Sequence, residues 1–216
     1  MLVLVLEKGH SSLQDVLDAG VLPRAEQLST LTRVGECIAS LHAKRIVHCD
    51  VKPSNIVLFR DGPREVYKLI DMETCTEVGQ AQSSEHTPQY CPPEMAKALK
   101  RTPPTPVIAH PTYDVFSFGL LCVHVLTGKP FWDGYSPEAI LEELIGADYT
   151  LNAHLPKSIT SQARSMLKKC LVMLPSTPRP RMRDLLDQSY FRLSMGKTTM
   201  VGAVKVSEGA FVFKCV

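Results

Sequence analysis

Apolar positions divide this chain into segments of different period. From Arg24 to His42, Leu28, Leu31, Val34, Ile38 and Leu41 recur at the spacing of one face of an α-helix. A shorter helix is predicted from Ser12 to Leu17, with Ser11 or Ser12 as its N-cap. Ile46 to Phe59 and Glu65 to Ile70 are apolar runs that predict short strands, with Asp61-Gly62 as the turn between them. Asp114 to Thr127 is almost continuously apolar, which predicts a helix buried on all sides. Gly128, with Pro130 just beyond, should end it. Trp132 should pack under the next loop. Pro137 to Ile145 predicts an amphipathic helix opened by Ser136, and Ile159 to Leu174 another, with Ala163, Met166, Leu167 and Leu171 on one face. Met182 to Gln188 predicts a last helical turn.

Two stretches lack any period. Residues 72–93 read as irregular chain. Residues 102–112 carry Pro103, Pro104, Pro106 and Pro111 and read as a loop inserted before the buried helix, a proline-motif ligand being the alternative. Near the end, Val201 to Val206 and Phe211 to Val216 flank Ser207-Glu208-Gly209, as a hairpin or a frayed tail would. The fold class expected is mainly α (α+β): helices around short strands.

Composition narrows the class. With 216 residues, 44% of them hydrophobic and 21% charged, the chain fits one or at most two globular domains. A formal net charge of +2 points to no polyelectrolyte partner, so no nucleic acid is expected. Seven cysteines stand singly, an odd count without paired spacing that favours a reducing, cytoplasmic (intracellular) setting. The seven histidines show no metal-ligand spacing, and His10, His42, His124 and His154 read as surface or packing residues. The apolar run before Glu7 is too short for a signal or membrane segment.

The candidate chemistry lies in Ile46-Val47-His48-Cys49-Asp50-Val51-Lys52-Pro53-Ser54-Asn55-Ile56-Val57. An aspartate, a lysine and an asparagine share one short loop ahead of an apolar strand. Asp50 could orient an attacking hydroxyl and accept its proton, Lys52 could neutralise a moving phosphoryl group, and Asn55 could offer an amide oxygen to magnesium. Downstream, Tyr67-Lys68-Leu69-Ile70-Asp71-Met72-Glu73 is an apolar strand ending in a carboxylate, a second candidate metal ligand.

These residues resemble the catalytic loop and metal-binding segment of the protein kinase family, serine/threonine branch. The loop matches H-R-D-x-K-x-x-N except at Cys49, where arginine is usual, and D-M-E stands for D-F-G. Met72 can still fill an apolar slot. Glu73 replaces a glycine that turns freely and adds negative charge. His86-Thr87-Pro88-Gln89-Tyr90-Cys91-Pro92-Pro93-Glu94 resembles the end of an activation segment, Tyr113-Asp114-Val115-Phe116-Ser117-Phe118-Gly119 the start of the buried helix of the larger lobe, and Pro178-Arg179-Pro180-Arg181-Met182 the motif whose arginine pairs with Glu94. By the resemblance, Asp114 should accept hydrogen bonds from the catalytic-loop backbone, and Thr87 should bridge Asp50 and Lys52. Thr76, Ser83, Ser84 and Thr87 would be candidate phosphate acceptors in the activation segment.

The resemblance covers residues 1–192 as a hinge and C-lobe, with 193–216 as a tail. Leu2-Val3-Leu4-Val5-Leu6 resembles the last strand of an N-lobe. No glycine-rich loop, strand lysine or αC glutamate precedes it, so the chain reads as a kinase domain cut at the hinge, its N-lobe missing or supplied separately. The resemblance implies ATP and Mg2+ as cofactors. Glu7, Lys8, Gly9 and Val57 would line the nucleotide site, Asp50, Lys52 and Asn55 would be catalytic, and Asn55 and Asp71 would hold the metal. The expected function is transfer of the ATP γ-phosphate to a protein hydroxyl, weak or absent in this chain alone, with a protein substrate and no membrane as partner. A pseudokinase-like binding module is the alternative. A small-molecule phosphotransferase is the second, though that class usually lacks Lys52 and the P-P-E and D-V-F-S-F-G blocks.

Overall fold

The computed structural model describes residues 7–61, 64–82, 86–101, 103, 105–146, 151–173 and 178–192. The expected terminal strand at 2–6, the turn residue Gly62, Ser83, Ser84, Pro104 and the tail hairpin at 201–216 lie outside them.

Helix α4 (Pro111–Thr127) is the axis of the molecule, and residues 114–125 are all buried. A strand could not bury so long an apolar run on every side here. A helix satisfies its own backbone and turns each side chain toward a different neighbour. His110 caps its start through its side chain, and Gly128, at φ 74°, ends it in the left-handed conformation that glycine enters freely. Helix α2 (Arg24–Ala43) lies along it, burying Leu31, Val34, Ile38 and Leu41 as the spacing required. Two close helix approaches pass over glycines, one on α4 and one on α2. A Cβ at Gly119 would meet Cys170 Cβ at 2.7 Å, and one at Gly35 would meet Leu186 at 2.7 Å.

Helix α1 (Leu13–Asp18) starts at a reciprocal capping box between Ser12 and Asp15. Helices α3 (Pro93–Leu99) and α5 (Pro137–Ile145) pack on each other, α5 opening at Ser136 as expected. Helix α6 is shorter than the periodicity suggested. It runs Ser161–Cys170 and stops at Leu171, which is still buried but no longer helical (φ −89°, ψ 41°). The expected last turn is α7 (Met182–Leu186), and a further short helix that the pattern did not mark, α8 (Ser189–Arg192), follows it.

The expected strand from Ile46 to Phe59 is interrupted. Strand β2 covers only Ile46–Val47, a turn at Pro53–Asn55 follows, and β3 runs Ile56–Asp61. The polar loop between them is claimed by other partners, described below. Strand β3 pairs antiparallel with β4 (Arg64–Leu69), and β1 (Ser11–Ser12) adds to its other edge, in the order β1-β3-β4. Strand β5 (Thr76–Glu77) pairs with β2, so residues 72–93 are not wholly irregular. Trp132 is buried, with Phe131 and Tyr135 edge-on to it.

Candidate active site

The loop after β2 is held from beneath by one carboxylate. Asp114, 1% exposed in the first turn of α4, accepts the backbone N–H of His48 (2.9 Å) and of Cys49 (3.0 Å), and His42 Nε2 lies 2.9 Å from it. These bonds hold Cys49 at φ 68°, a conformation that a residue with a Cβ adopts at some cost. The loop is also tied to the chain after β4. His48 Nε2 contacts the Ile70 carbonyl at 3.0 Å, and Thr74 donates its hydroxyl to the His48 carbonyl at 2.9 Å.

Above this support the expected catalytic groups converge. Lys52 Nζ lies 2.6 Å from Asp50 Oδ2, and Thr87 donates to Asp50 Oδ1 at 2.8 Å. Lys52 Nζ also donates to Thr87 Oγ1 at 2.8 Å, closing a ring of three side chains. Asn55 donates its amide N–H to the Asp50 carbonyl (3.0 Å) and carboxylate (3.1 Å), leaving its Oδ1 to accept or to bind a cation. The Ile70 N–H donates to the Asn55 carbonyl at 2.9 Å, so Asp71 follows immediately beside Asn55. Asp71 is exposed and left-handed, at φ 61°. Asn55 Oδ1 and the Asp71 carboxylate are hard oxygen donors. Two such protein ligands suit magnesium, which keeps its waters and takes substrate phosphates for the rest. No cluster of three or more His, Cys, Asp or Glu suited to a metal occurs among the described residues.

Of the residues expected at the nucleotide, Glu7 and Gly9 lie against Lys68 and Val57 of the β3–β4 ribbon. Gly9 presses on Val57: a Cβ there would meet Val57 Cγ1 at 2.2 Å, so only glycine permits this approach. Lys8 is exposed. Glu7 is paired with Lys68, a residue the sequence did not single out. Lys68 is 5% exposed, opposite Val57 in the β-ladder, and its ammonium stands 4.0 Å from the Phe59 ring centroid. A lysine in an apolar strand reads as solvent-facing, and only its partners show otherwise.

The block 86–94 docks on α4. Tyr90 contacts His124 Nδ1 at 2.9 Å, and Ser117 donates to the Tyr90 carbonyl at 2.7 Å. Burial lowers the His124 pKa, Asp18 and Asp133 opposing it weakly, and raises that of Tyr90. His124 therefore braces this block, and His42 braces Asp114, where spacing alone suggested ordinary packing. Glu94 and Arg179 form the expected pair, two-pronged at 3.0 and 3.1 Å. Cys49 meets a neutral amide side chain. Its thiol donates to Gln82 Oε1 at 3.1 Å. Among the described residues no two cysteines are joined in a disulfide.

A protein kinase domain model matches residues 1–191. The chain belongs to the protein kinase family. Serine/threonine-protein kinase pkn2 of Myxococcus xanthus is 31% identical over 150 residues, 66% of this chain and 17% of that protein. Serine/threonine-protein kinase AfsK of Streptomyces coelicolor is 27% identical over 179 residues, 82% of the chain and 21% of its own length. The mouse inhibitor of nuclear factor kappa-B kinase subunit beta is 30% identical over 177 residues, 73% and 22%. The chain thus spans about a fifth of the length of these curated relatives. No helix among the described residues of this kinase-family chain is long and apolar enough to cross a membrane.

Proposed function

We propose that residues 1–192 form the hinge and catalytic lobe of a serine/threonine protein kinase, with 193–216 as an appended tail. The observation that carries this reading is the closed ring of Asp50, Lys52 and Thr87 with Asn55 bonded to the same aspartate. Asp50 Oδ1 would exchange its Thr87 bond for the hydroxyl of a substrate serine or threonine and take its proton as the phosphoryl group departs from ATP. Lys52 Nζ would follow the negative charge moving onto the transferred group. Asn55 Oδ1 and Asp71 would hold magnesium, which neutralises the nucleotide phosphates when bound. Glu7, Lys8 and Gly9 would border the adenine, over Val57. A glycine-rich loop and a strand lysine are not among these 216 residues. In this reading further polypeptide supplies them, and the 216 residues alone bind nucleotide weakly and transfer little phosphate. The partner is a protein substrate.

A second reading, a non-catalytic binding module, is favoured by one observation. Glu73, exposed two residues after Asp71, adds negative charge where a nucleotide would lie. Calorimetric titration of ATP with and without magnesium, followed by phosphate transfer to a generic protein substrate, separates the two. In a form carrying the nucleotide-covering segment, Asp50→Ala should lower turnover by about 10²–10⁴-fold with the fold retained. Near-normal transfer by that variant would remove the proposed role of Asp50. Magnesium-dependent binding without transfer would favour the binding module.

A further inference from the structure

The proline-rich stretch before α4 folds back onto the chain that follows β5. The Gly79 N–H donates to the Ala109 carbonyl (3.0 Å), the Ala109 N–H to the Gln80 carbonyl (2.8 Å), and the Gln82 N–H to the Val107 carbonyl (2.9 Å). Ala81 and Ile108 face each other as an antiparallel bridge at the centre of this ladder. Val107 and Ala109 are buried beneath it, and Ile108 is 52% exposed. On the other side of the same chain, β5 pairs with β2, and the Val78 N–H donates to the Arg45 carbonyl at 2.8 Å. Residues 76–82 are thus stitched first to one neighbour and then to the other.

Gln82 ends the ladder and reaches inward. Its Oε1 accepts the Cys49 thiol at 3.1 Å, and its Nε2 lies 3.9 Å from Met95 Sδ on α3. Cys49 is the neighbour of Asp50 and is fixed by Asp114. One neutral side chain therefore touches the loop that carries Asp50, the helix that carries Glu94, and, through its backbone, the inserted stretch. Burial first, and the Asp114 carboxylate second, push the Cys49 thiol far above its usual range, so it stays a neutral donor. Pro103 and Pro106 reduce the freedom of the inserted stretch before it docks, which lowers the entropy lost in forming the ladder.

We infer that Gln82 and the strand at residues 107–109 form an uncharged latch that holds the activation segment against the catalytic loop without phosphorylation. This inference rests on reading residues 72–94 as that segment. Its hold comes from backbone pairing and neutral hydrogen bonds, so salt should not weaken it and phosphatase treatment should not release it.

The test is amide hydrogen exchange on the full chain, with mass-spectrometric mapping of thiol alkylation. In the unmodified protein the Gly79, Gln82 and Ala109 amides should be protected equally at low and high salt. Ala109→Pro deletes one ladder donor, and Gly79 and Gln82 should then exchange at least about fivefold faster, the worth of one hydrogen bond. Ile108→Ala, on the exposed side, should change nothing. Gln82→Ala keeps the backbone ladder but removes the side-chain amide that accepts from the thiol. Alkylation of Cys49 should rise by about fivefold or more, with faster exchange at residues 86–90. Should Ala109→Pro fail to fold, Gln82→Ala decides alone. Unprotected ladder amides in the unmodified protein, protection that collapses with salt, or unchanged Cys49 alkylation in Gln82→Ala would each overturn the latch. None of these readouts needs phosphate transfer. A protected ladder in an inactive chain upholds the latch while counting against the kinase proposal, and a loose ladder in an active chain does the reverse.

Discussion

Replacing Arg179 by alanine should be among the most damaging single changes in this chain. The Arg179 side chain is 4% exposed and uses nearly all of its donors. Two prongs meet Glu94, Nε and one terminal nitrogen donate to the Val172 carbonyl (3.0 and 2.6 Å), and the other donates to the Thr112 carbonyl (3.1 Å). The guanidinium carbon also stands 4.8 Å from the Phe116 ring centroid. Arg179→Ala removes the cation and leaves a carboxylate and two carbonyls facing a void. Breaking a fully buried pair costs about 3–5 kcal/mol. Glu94 keeps 30% of its side-chain surface in water, so part of its charge is re-solvated and the lower end, about 3 kcal/mol, applies. For a domain of this size each kcal/mol moves the melting temperature by about 2–4 °C, giving a fall of about 6–12 °C. Calorimetry, with chemical denaturation as a second probe, measures it. Glu94→Gln keeps an acceptor for the arginine and should cost less, about 1–2 kcal/mol. The double variant should cost less than the sum of the two singles, since the second change removes a group already stranded. A fall below about 2 °C for Arg179→Ala, or strict additivity, would show that the pair does not fasten the 86–94 block to the chain at 179.

The remaining predictions concern three other buried sites. Asp114→Ala strands the N–H groups of His48 and Cys49, should cost about 2–4 kcal/mol by chemical denaturation, and should release Cys49 from its left-handed turn; retention of full stability would refute the role of Asp114 as support. The His124 pKa is lowered from 6.5 by burial, so the unfolded chain binds a proton that the folded one does not. Its contribution is whole above pH 6.5 and is lost as pH falls through the depressed folded value, and a denaturation series across that range should flatten in His124→Gln. Gly119→Ala drives a methyl group to 2.7 Å from Cys170 Cβ and 2.9 Å from Leu171, and should cost about 1–3 kcal/mol through overpacking between α4 and α6; a neutral melting temperature would mean that the two helices separate freely.

The sequence by itself determined the local chemistry and the long helices. A fully apolar run must bury itself on every side, which located α4, and a serine before an acidic or apolar turn located the starts of α1 and α5. The short spacing of Asp50, Lys52 and Asn55 placed them in one loop, and the ring that Asp50 and Lys52 form with Thr87 follows from that proximity plus one docked segment. Periodicity could not mark where α6 stops, because Leu171 keeps an apolar environment after the helix has ended. Nor could it show that β2 is cut short, since the N–H groups of His48 and Cys49 go to a carboxylate that is remote in the sequence. What only the tertiary structure decided is the pairing between distant segments. Lys68 with Glu7, His42 with Asp114, and the ladder between 79–82 and 107–109 each join residues whose types are individually unremarkable. A lysine, a histidine or a glutamine carries no mark of its partner. Burial removes water as the alternative, and the group within reach then becomes the one that satisfies it.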